Sequence, residues 1–184
     1  VNALLNYTTN LYKEQGHVFS NNDLQKELFD FLKDRFKYYL KEKQIRFDII
    51  DASISTFSLN KLFSTFEKAK SINKVINDQI GIDITSIYKR SSNILENEMK
   101  NNKIEIFNTT DPGIFKSEYE KNLFKKINEI KKYYTGINND ENYENSLSIL
   151  ASAKNDVFDF FDNVKVNEEN EILRKNRLEL INML

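Results

Sequence analysis

Phe160-Phe161-Asp162-Asn163-Val164-Lys165-Val166-Asn167-Glu168-Glu169-Asn170-Glu171-Ile172-Leu173-Arg174-Lys175-Asn176-Arg177-Leu178 is the stretch on which the reading of the fold turns. Asn167 or Asn170 can cap a new helix, with Glu168, Glu169 and Glu171 near its positive N-terminal end. At 100° per residue, Ile172, Leu173, Leu180, Ile181, Met183 and Leu184 fall on one half of that helix. Arg177 falls inside the apolar half and Arg174 sits at its edge. A guanidinium placed there must find a carboxylate or a row of carbonyls, because an unpaired buried charge is costly. The helix therefore reads as the element that closes a domain, with Arg177 part of how it docks.

Length and composition bound the rest. The 184 residues suit one domain, or one domain with an extension, and are enough to bury a core. The chain is 40% hydrophobic and 30% charged with 4 Gly and 1 Pro, which favours an all-α helical bundle of about seven to eight helices. With no cysteine, disulfides and thiolate metal sites are excluded. No apolar run approaches the roughly 18 residues that a membrane helix needs, and no signal peptide is visible. The chain starts at Val1, which reads as a fragment of something larger, and a cytoplasmic setting is expected. A formal net charge of −1 argues against blanket phosphate neutralisation, so any nucleic-acid contact must be a local patch.

Taken in order, residues 1 to 15 carry Leu4, Leu5, Leu11 and Tyr12 in a weakly amphipathic helix that ends at Gly16. Ser20-Asn21-Asn22-Asp23 is an N-cap cluster, followed by Leu24, Leu28, Phe31, Leu32, Arg35 and Tyr39 at helical spacing as far as about Lys43. Lys33, Lys37, Lys41 and Lys43 form a basic stripe on its exposed side, which by itself reads as a solvated face. Ser58 caps a helix reaching about Asp78 with Leu59, Leu62, Phe63, Phe66, Ala69, Ile72 and Ile76 inward, and Gly81 breaks it. Asn101 to Gly113 is a polar connection holding the only proline, with Ile104 to Phe107 apolar enough for a short ordered piece. Residues 116 to 134 form a basic helix with Leu123, Phe124, Ile127 and Ile130 inward and Lys121, Lys125, Lys126, Lys131 and Lys132 outside. After a loop from Gly136 to Asp140, residues 141 to 162 read as helix, free to kink near Ser152 to Asn155.

Two segments carry candidate chemistry. Between Ile45 and Phe57, Ile45, Ile49 and Ala52 form one apolar face while Phe47, Ile50, Ile54 and Phe57 form another, as in a sandwiched, central helix. Asp48 and Asp51 lie between these faces; spaced i and i+3, they repel unless something basic is near. They read as acceptors for Arg174, Arg177 or a helix N-terminus; a general acid–base pair would lack a His, Ser or Cys partner. The second segment is a helix from Asp83 to Met99, with Ile84, Ile87, Tyr88, Ile94, Leu95 and Met99 on one face. Lys89, Arg90 and Asn93 lie on the other, where they can touch phosphate and a base edge together, or serve as an ordinary polar face. His17 is the only histidine and stands in a loop, which makes no metal site. There is no Gly-rich phosphate loop, nucleophile elbow or dinucleotide fingerprint, so the segment is not expected to bind ATP or to catalyse on its own.

The run from Phe160 to Leu184 resembles the C-terminal signature of the helical anticodon-binding domain named after its Asp-Ala-Leu-Arg (DALR) motif, with Glu171-Ile172-Leu173-Arg174 at the name-giving position. More narrowly it is similar to the version that ends the beta subunit of bacterial two-subunit glycyl-tRNA synthetases. Arg46-Phe47-Asp48-Ile49-Ile50-Asp51-Ala52 and Ile87-Tyr88-Lys89-Arg90-Ser91-Ser92-Asn93-Ile94-Leu95 look like the same family in the same order. The resemblance implies a single domain over 1–184, with N-terminal helices over 1–43 and a core over 44–184 that carries the motifs. It implies binding of the anticodon arm of glycine tRNA in support of ATP-dependent glycine attachment, by a ligase subunit that is itself non-catalytic here. The alpha subunit, in an alpha2beta2 assembly, would hold the activating site with its ATP and Mg; neither membrane nor DNA is an implied partner. Lys89, Arg90 and Asn93 are then the first tRNA contacts, with Arg35, Lys37 and Arg46 as neighbours. Tyr38 and Tyr88 are stacking candidates, although Tyr88, on the apolar face, reads more naturally as core. Asp48, Asp51, Arg174 and Arg177 are taken as structural. Two other readings remain: a helical subunit-interaction scaffold, or the equivalent domain of an arginyl-type or cysteinyl synthetase.

Overall fold

A computed structural model describes residues 2–18, 24–102, 110–136 and 142–184. The N-cap cluster from Ser20 to Asp23, the Ile104–Phe107 piece and most of the Gly136–Asp140 loop lie outside them. Among the described residues there are nine α-helices and no strand: α1 (Asn2–Glu14), α2 (Leu24–Glu42), α3 (Phe47–Ser55), α4 (Leu62–Val75), α5 (Gln79–Asn102), α6 (Glu118–Gly136), α7 (Tyr143–Ala151), α8 (Lys154–Asn163) and α9 (Glu171–Asn182). None is long and apolar enough to cross a membrane. The backbone divides into two compact units, Val1–Asn73 and Lys74–Leu184, where the sequence suggested one domain with a division after Lys43.

In the first unit α1 ends as expected at Gly16, whose φ of +87° only glycine adopts without strain. α2 ends in the same type of turn without a glycine. The Ile45 N–H donates to the Leu40 carbonyl at 3.2 Å and the Gln44 N–H to that of Lys41 at 2.9 Å, which holds Gln44 at φ +59°. The face of α2 that packs inward is not the expected one. Phe36 and Leu40 are buried, whereas Phe31 and Tyr39 are exposed. The reason is aromatic packing: the Phe57 ring lies 5.3 Å from that of Phe29 and 5.5 Å from that of Phe36, so the 29/36/40 face wins. α3 buries only Ile49 and Ile50; Phe47 and Ala52 are exposed, so within its unit this helix is one-sided rather than sandwiched. The Asn73 side chain accepts from the Arg46 N–H at 2.9 Å and donates to the Gln44 carbonyl at 3.4 Å, fixing the entry to α3. On α4, Ala69 is buried but Phe63 stands out in solvent.

The second unit is built around Ile87, Leu123, Ile127, Ala153, Val157, Phe160, Val164, Leu180 and Ile181. Gly81 does not break a helix, as its sequence position suggested, but sits inside the first turns of α5. A Cβ there would collide with the backbone of Val75 and Ile76, so glycine permits a close approach. The anticipated kink after α7 is a full break, where the Ser152 and Ala153 N–H groups donate back to the carbonyls of Ile149 and Leu150 and Ala153 enters the core. α6 opens with a reciprocal cap. The Ser117 Oγ accepts from the Glu120 N–H at 3.3 Å, and the Glu120 carboxylate accepts from the Lys116 and Ser117 N–H groups at 2.8 and 2.7 Å.

α9 fits into this frame by polar and apolar contacts together. Asn170, one of the two cap candidates, accepts from the Leu173 N–H at 3.1 Å. Asn176 through Ile181 are all buried, so the second half of the helix is enclosed on every side, while Ile172 is exposed. Arg177 finds both groups that the sequence demanded. Its Nε donates to the Glu120 carboxylate at 2.9 Å and its Nη1 to the Lys165 carbonyl at 2.7 Å, with Glu168 at 3.4 Å. Burial raises the pKa of Glu120, but Arg177 and the two N–H donors more than offset it and hold the carboxyl below its usual range. Its stabilising contribution is thus present above the unfolded value of about pH 4.3 and is lost as the pH falls through the lower folded value.

Replacing Glu120 with Gln should cost about 3 kcal/mol in denaturant unfolding, because Arg177 stays buried without its counter-charge. The same variant should flatten the acid limb of the stability profile below about pH 4. Gln44→Gly should raise stability by about 0.5–1 kcal/mol by relieving the left-handed backbone, read from the same unfolding curves.

Candidate nucleic-acid interface

The second unit presents α5 to solvent on one side. Ile87, Ser91 and Glu98 point inward, and the residues next to them in sequence turn outward by about 100° per position. Lys89 and Asn93 are exposed, as the sequence predicted. Tyr88 is 71% exposed rather than part of the core. It stands at a cleft of about 440 Å³ lined by Ile84, Tyr88, Ser91 and Leu95 from α5, Lys131 from α6 and Met183. The Ser91 hydroxyl lies buried beside this cleft and meets no hydrogen-bond partner among the described residues. A flat phenol ring beside exposed lysines is the combination that stacks a base and holds its phosphate.

Arg90 does something different. Its Nη2 donates to Asp162 at 2.8 Å, and its guanidinium centre lies 5.2 and 4.8 Å from the ring centroids of Phe158 and Phe161. Together with the 2.7 Å pair of Lys154 and Asp83, it ties α5 to α8. The expected Lys89-Arg90-Asn93 triad is therefore split, with Lys89 and Asn93 facing outward and Arg90 engaged in packing. On α6, Lys121 and Lys126 pair with Glu118 and Glu129 at 2.7 and 3.6 Å. Lys125, Lys131 and Lys132 are exposed.

Arg35, Lys37, Tyr38, Arg46, Asp48 and Asp51 belong to the first unit. Arg35 lies 5.2 Å over the Phe31 ring. Lys37 donates to Asp51 at 2.9 Å and lies 5.2 Å over the Phe47 ring. Arg46 forks onto Asp48 at 3.2 and 2.7 Å and thereby holds that carboxyl below its usual range. Asp48 and Asp51 thus take local partners: Asp48 accepts from Arg46 and also from the Ile49 N–H at 3.0 Å, the helix N-terminus expected as an alternative to Arg174 and Arg177, and Asp51 accepts from Lys37. The buried Nε of Arg174 meets no partner among the described residues. Tyr38 is 65% exposed, in keeping with a stacking role. Glu120 escaped the sequence reading, although Ser117-Glu118-Tyr119-Glu120 carries the Ser-x-x-Glu capping signal. Lys131 stands outside on α6 as its periodicity indicates, whereas Phe47, assigned to an apolar face by periodicity, is exposed. No group of three or more His, Cys, Asp and Glu side chains among the described residues could hold a metal ion.

Arg90→Ala should lower unfolding stability by about 1–2 kcal/mol through its lost ring and carboxylate contacts, whereas Lys89→Gln should leave it unchanged. Chemical denaturation of the two variants checks this.

Comparison with known proteins places this surface in context. The DALR anticodon binding domain matches residues 84–184, which hold most of α5 and everything after it. The glycine–tRNA ligase beta subunit of Persephonella marina is 33% identical over 172 residues, covering 94% of this chain and 23% of that protein. The corresponding subunit of Rickettsia canadensis is 30% identical over 182 residues, 98% of this chain and 25% of its own length. That of Dinoroseobacter shibae is 28% identical over 160 residues, 87% and 22% respectively. The chain spans about a quarter of the length of these relatives.

Proposed function

The chain belongs to the DALR anticodon-binding domain family, and from that premise we propose that it is the tRNA-recognition end of a glycine–tRNA ligase beta subunit. The observation that carries this reading is that the family match covers the α5 surface on which Tyr88, Lys89 and Asn93 are all exposed. Tyr88 stacks on a loop base splayed out of the anticodon, Asn93 meets a base edge, and Lys89 and Lys131 position phosphates. Arg90 holds the surface in place. Glycine activation, with its ATP and magnesium, belongs to the alpha subunit, and the two subunits work in the cytoplasm as an alpha2beta2 assembly. The low net charge fits such a division, because a few local cations suffice when base stacking carries part of the affinity.

A second reading, a helical module that holds subunits together, draws on the exposed Phe63 and Ile172. One assay separates the two. The chain is titrated with a glycine-tRNA anticodon stem-loop at two salt concentrations, beside a stem-loop with a changed anticodon. Recognition predicts salt-sensitive binding that weakens with the changed anticodon. Tyr88→Leu should weaken it about 5- to 150-fold, and Lys89→Gln should reduce the salt slope by about one phosphate. Equal binding of both stem-loops, indifferent to these variants, would sink the recognition reading.

A further inference from the structure

The first unit, which lies outside the matched residues 84–184, has an open cleft of its own of about 520 Å³. Ile45 and Ile50 are its buried floor, Tyr38 and Phe47 are its aromatic walls, and Lys37, Lys41 and Asp34 stand at its rim. We propose that this cleft is a second RNA contact, which takes one unstacked base of a single strand against Tyr38 and Phe47 with the flanking phosphates on Lys37 and Lys41. The inference rests on the reading of the chain as an RNA-binding domain and adds a site to it.

Four observations carry it. Tyr38 and Phe47 are 65% and 70% exposed, although burying a ring of that size is ordinarily favourable. Their setting is fixed: the turn at Gln44 and the Asn73 side chain clamp the backbone just ahead of Phe47. The charge is of the right sign, since from residue 33 to 51 Lys33, Arg35, Lys37, Lys41, Lys43 and Arg46 outnumber Asp34, Glu42, Asp48 and Asp51. Lys37 is held 5.2 Å over the Phe47 ring and 2.9 Å from Asp51, so it is positioned beside a stacked base and meets a phosphate by sharing or exchanging that carboxylate. The modest excess of cations over this stretch favours an anionic strand over an apolar peptide, and the aromatic walls accept any base face. Asp34 is placed to accept from an exocyclic amine such as that of cytosine.

The test is a titration of the whole chain into a seven-nucleotide single-stranded RNA that carries one central 2-aminopurine, whose fluorescence is quenched by stacking. Quenching is expected on binding. Tyr38→Leu and Phe47→Leu should weaken binding about 5- to 100-fold with unchanged unfolding curves, since both rings are exposed. Lys41→Gln should flatten the salt dependence by about 0.7 in log–log slope. Binding and quenching identical to wild type in Tyr38→Leu and Phe47→Leu would overturn the cleft as an RNA site. If Tyr88→Leu alone abolished the signal, the cleft would fail while the anticodon reading stood. Dependence on Phe47 together with stem-loop binding indifferent to Tyr88 would leave the cleft standing and remove the α5 surface. Absence of binding to either RNA at low salt would overturn both and assign the exposed rings to a protein contact.

Discussion

One guanidinium holds the second unit together. Arg177 is 7% exposed and its partner Glu120 is fully buried. The same carboxylate is the reciprocal cap of α6, so its two oxygens satisfy the orphan N–H groups of one helix and the cation of another. Through Nη1, Arg177 also gathers the Lys165 carbonyl in the segment that joins α8 to α9. One position earlier, Asn176 accepts from the Asp111 N–H at 2.7 Å and donates to the Asp111 carbonyl at 3.0 Å, as a neighbouring strand would. A buried ion pair is poor evidence of net stabilisation, but removing either partner would leave a buried charge without its counter-charge. Here it fixes the rotation of α9, and with it the enclosure of Leu178, Leu180 and Ile181.

The constraint propagates to the exposed face of α5. With α8 set by the core through Val157 and Phe160, Asp162, Phe158 and Phe161 form a seat for Arg90. Seating Arg90 fixes which way α5 faces, and that leaves Tyr88, Lys89 and Asn93 outward. The first unit uses the same device on a smaller scale. Lys37 and Arg46 are each held by a carboxylate one turn or less from an exposed ring or the backbone clamp. Exposed pairs of this kind contribute little to stability but restrict where a charge can go. A chain of net charge −1 can still present locally positive ground where exposed cations cluster, as Lys125, Lys131 and Lys132 do on α6.

Much of the secondary structure was legible, and the reasons are local. Glycine at 16, the cap at Asn170 and the apolar spacing of Leu123, Phe124, Ile127 and Ile130 act within one or two turns, where periodicity and capping decide. The demand of Arg177 for a carboxylate and a carbonyl was legible too, since the cost of an unpaired charge does not depend on the fold. The site was less so. Tyr88 sits on the apolar stripe of α5 by wheel geometry yet is exposed, at a cleft that Ile84, Ile87, Ser91 and Leu95 line beside it. Arg90 and Asp48 look equally free in the sequence, and both have close partners in space.

The sequence by itself determined that the chain is helical, where most of its helices begin and end, that Arg177 must be neutralised, and to which family its motifs point. Only the tertiary structure decided that Glu120 answers Arg177, that Lys37 serves Asp51, and that Arg90 packs while Lys89 does not. Helix formation depends on contacts three and four residues apart, which a linear pattern records. The Arg177–Glu120 pair spans 57 residues and the Arg90–Asp162 pair 72. A choice among many chemically equivalent carboxylates at such separations is made by which helices the core brings together, not by the residues near either end.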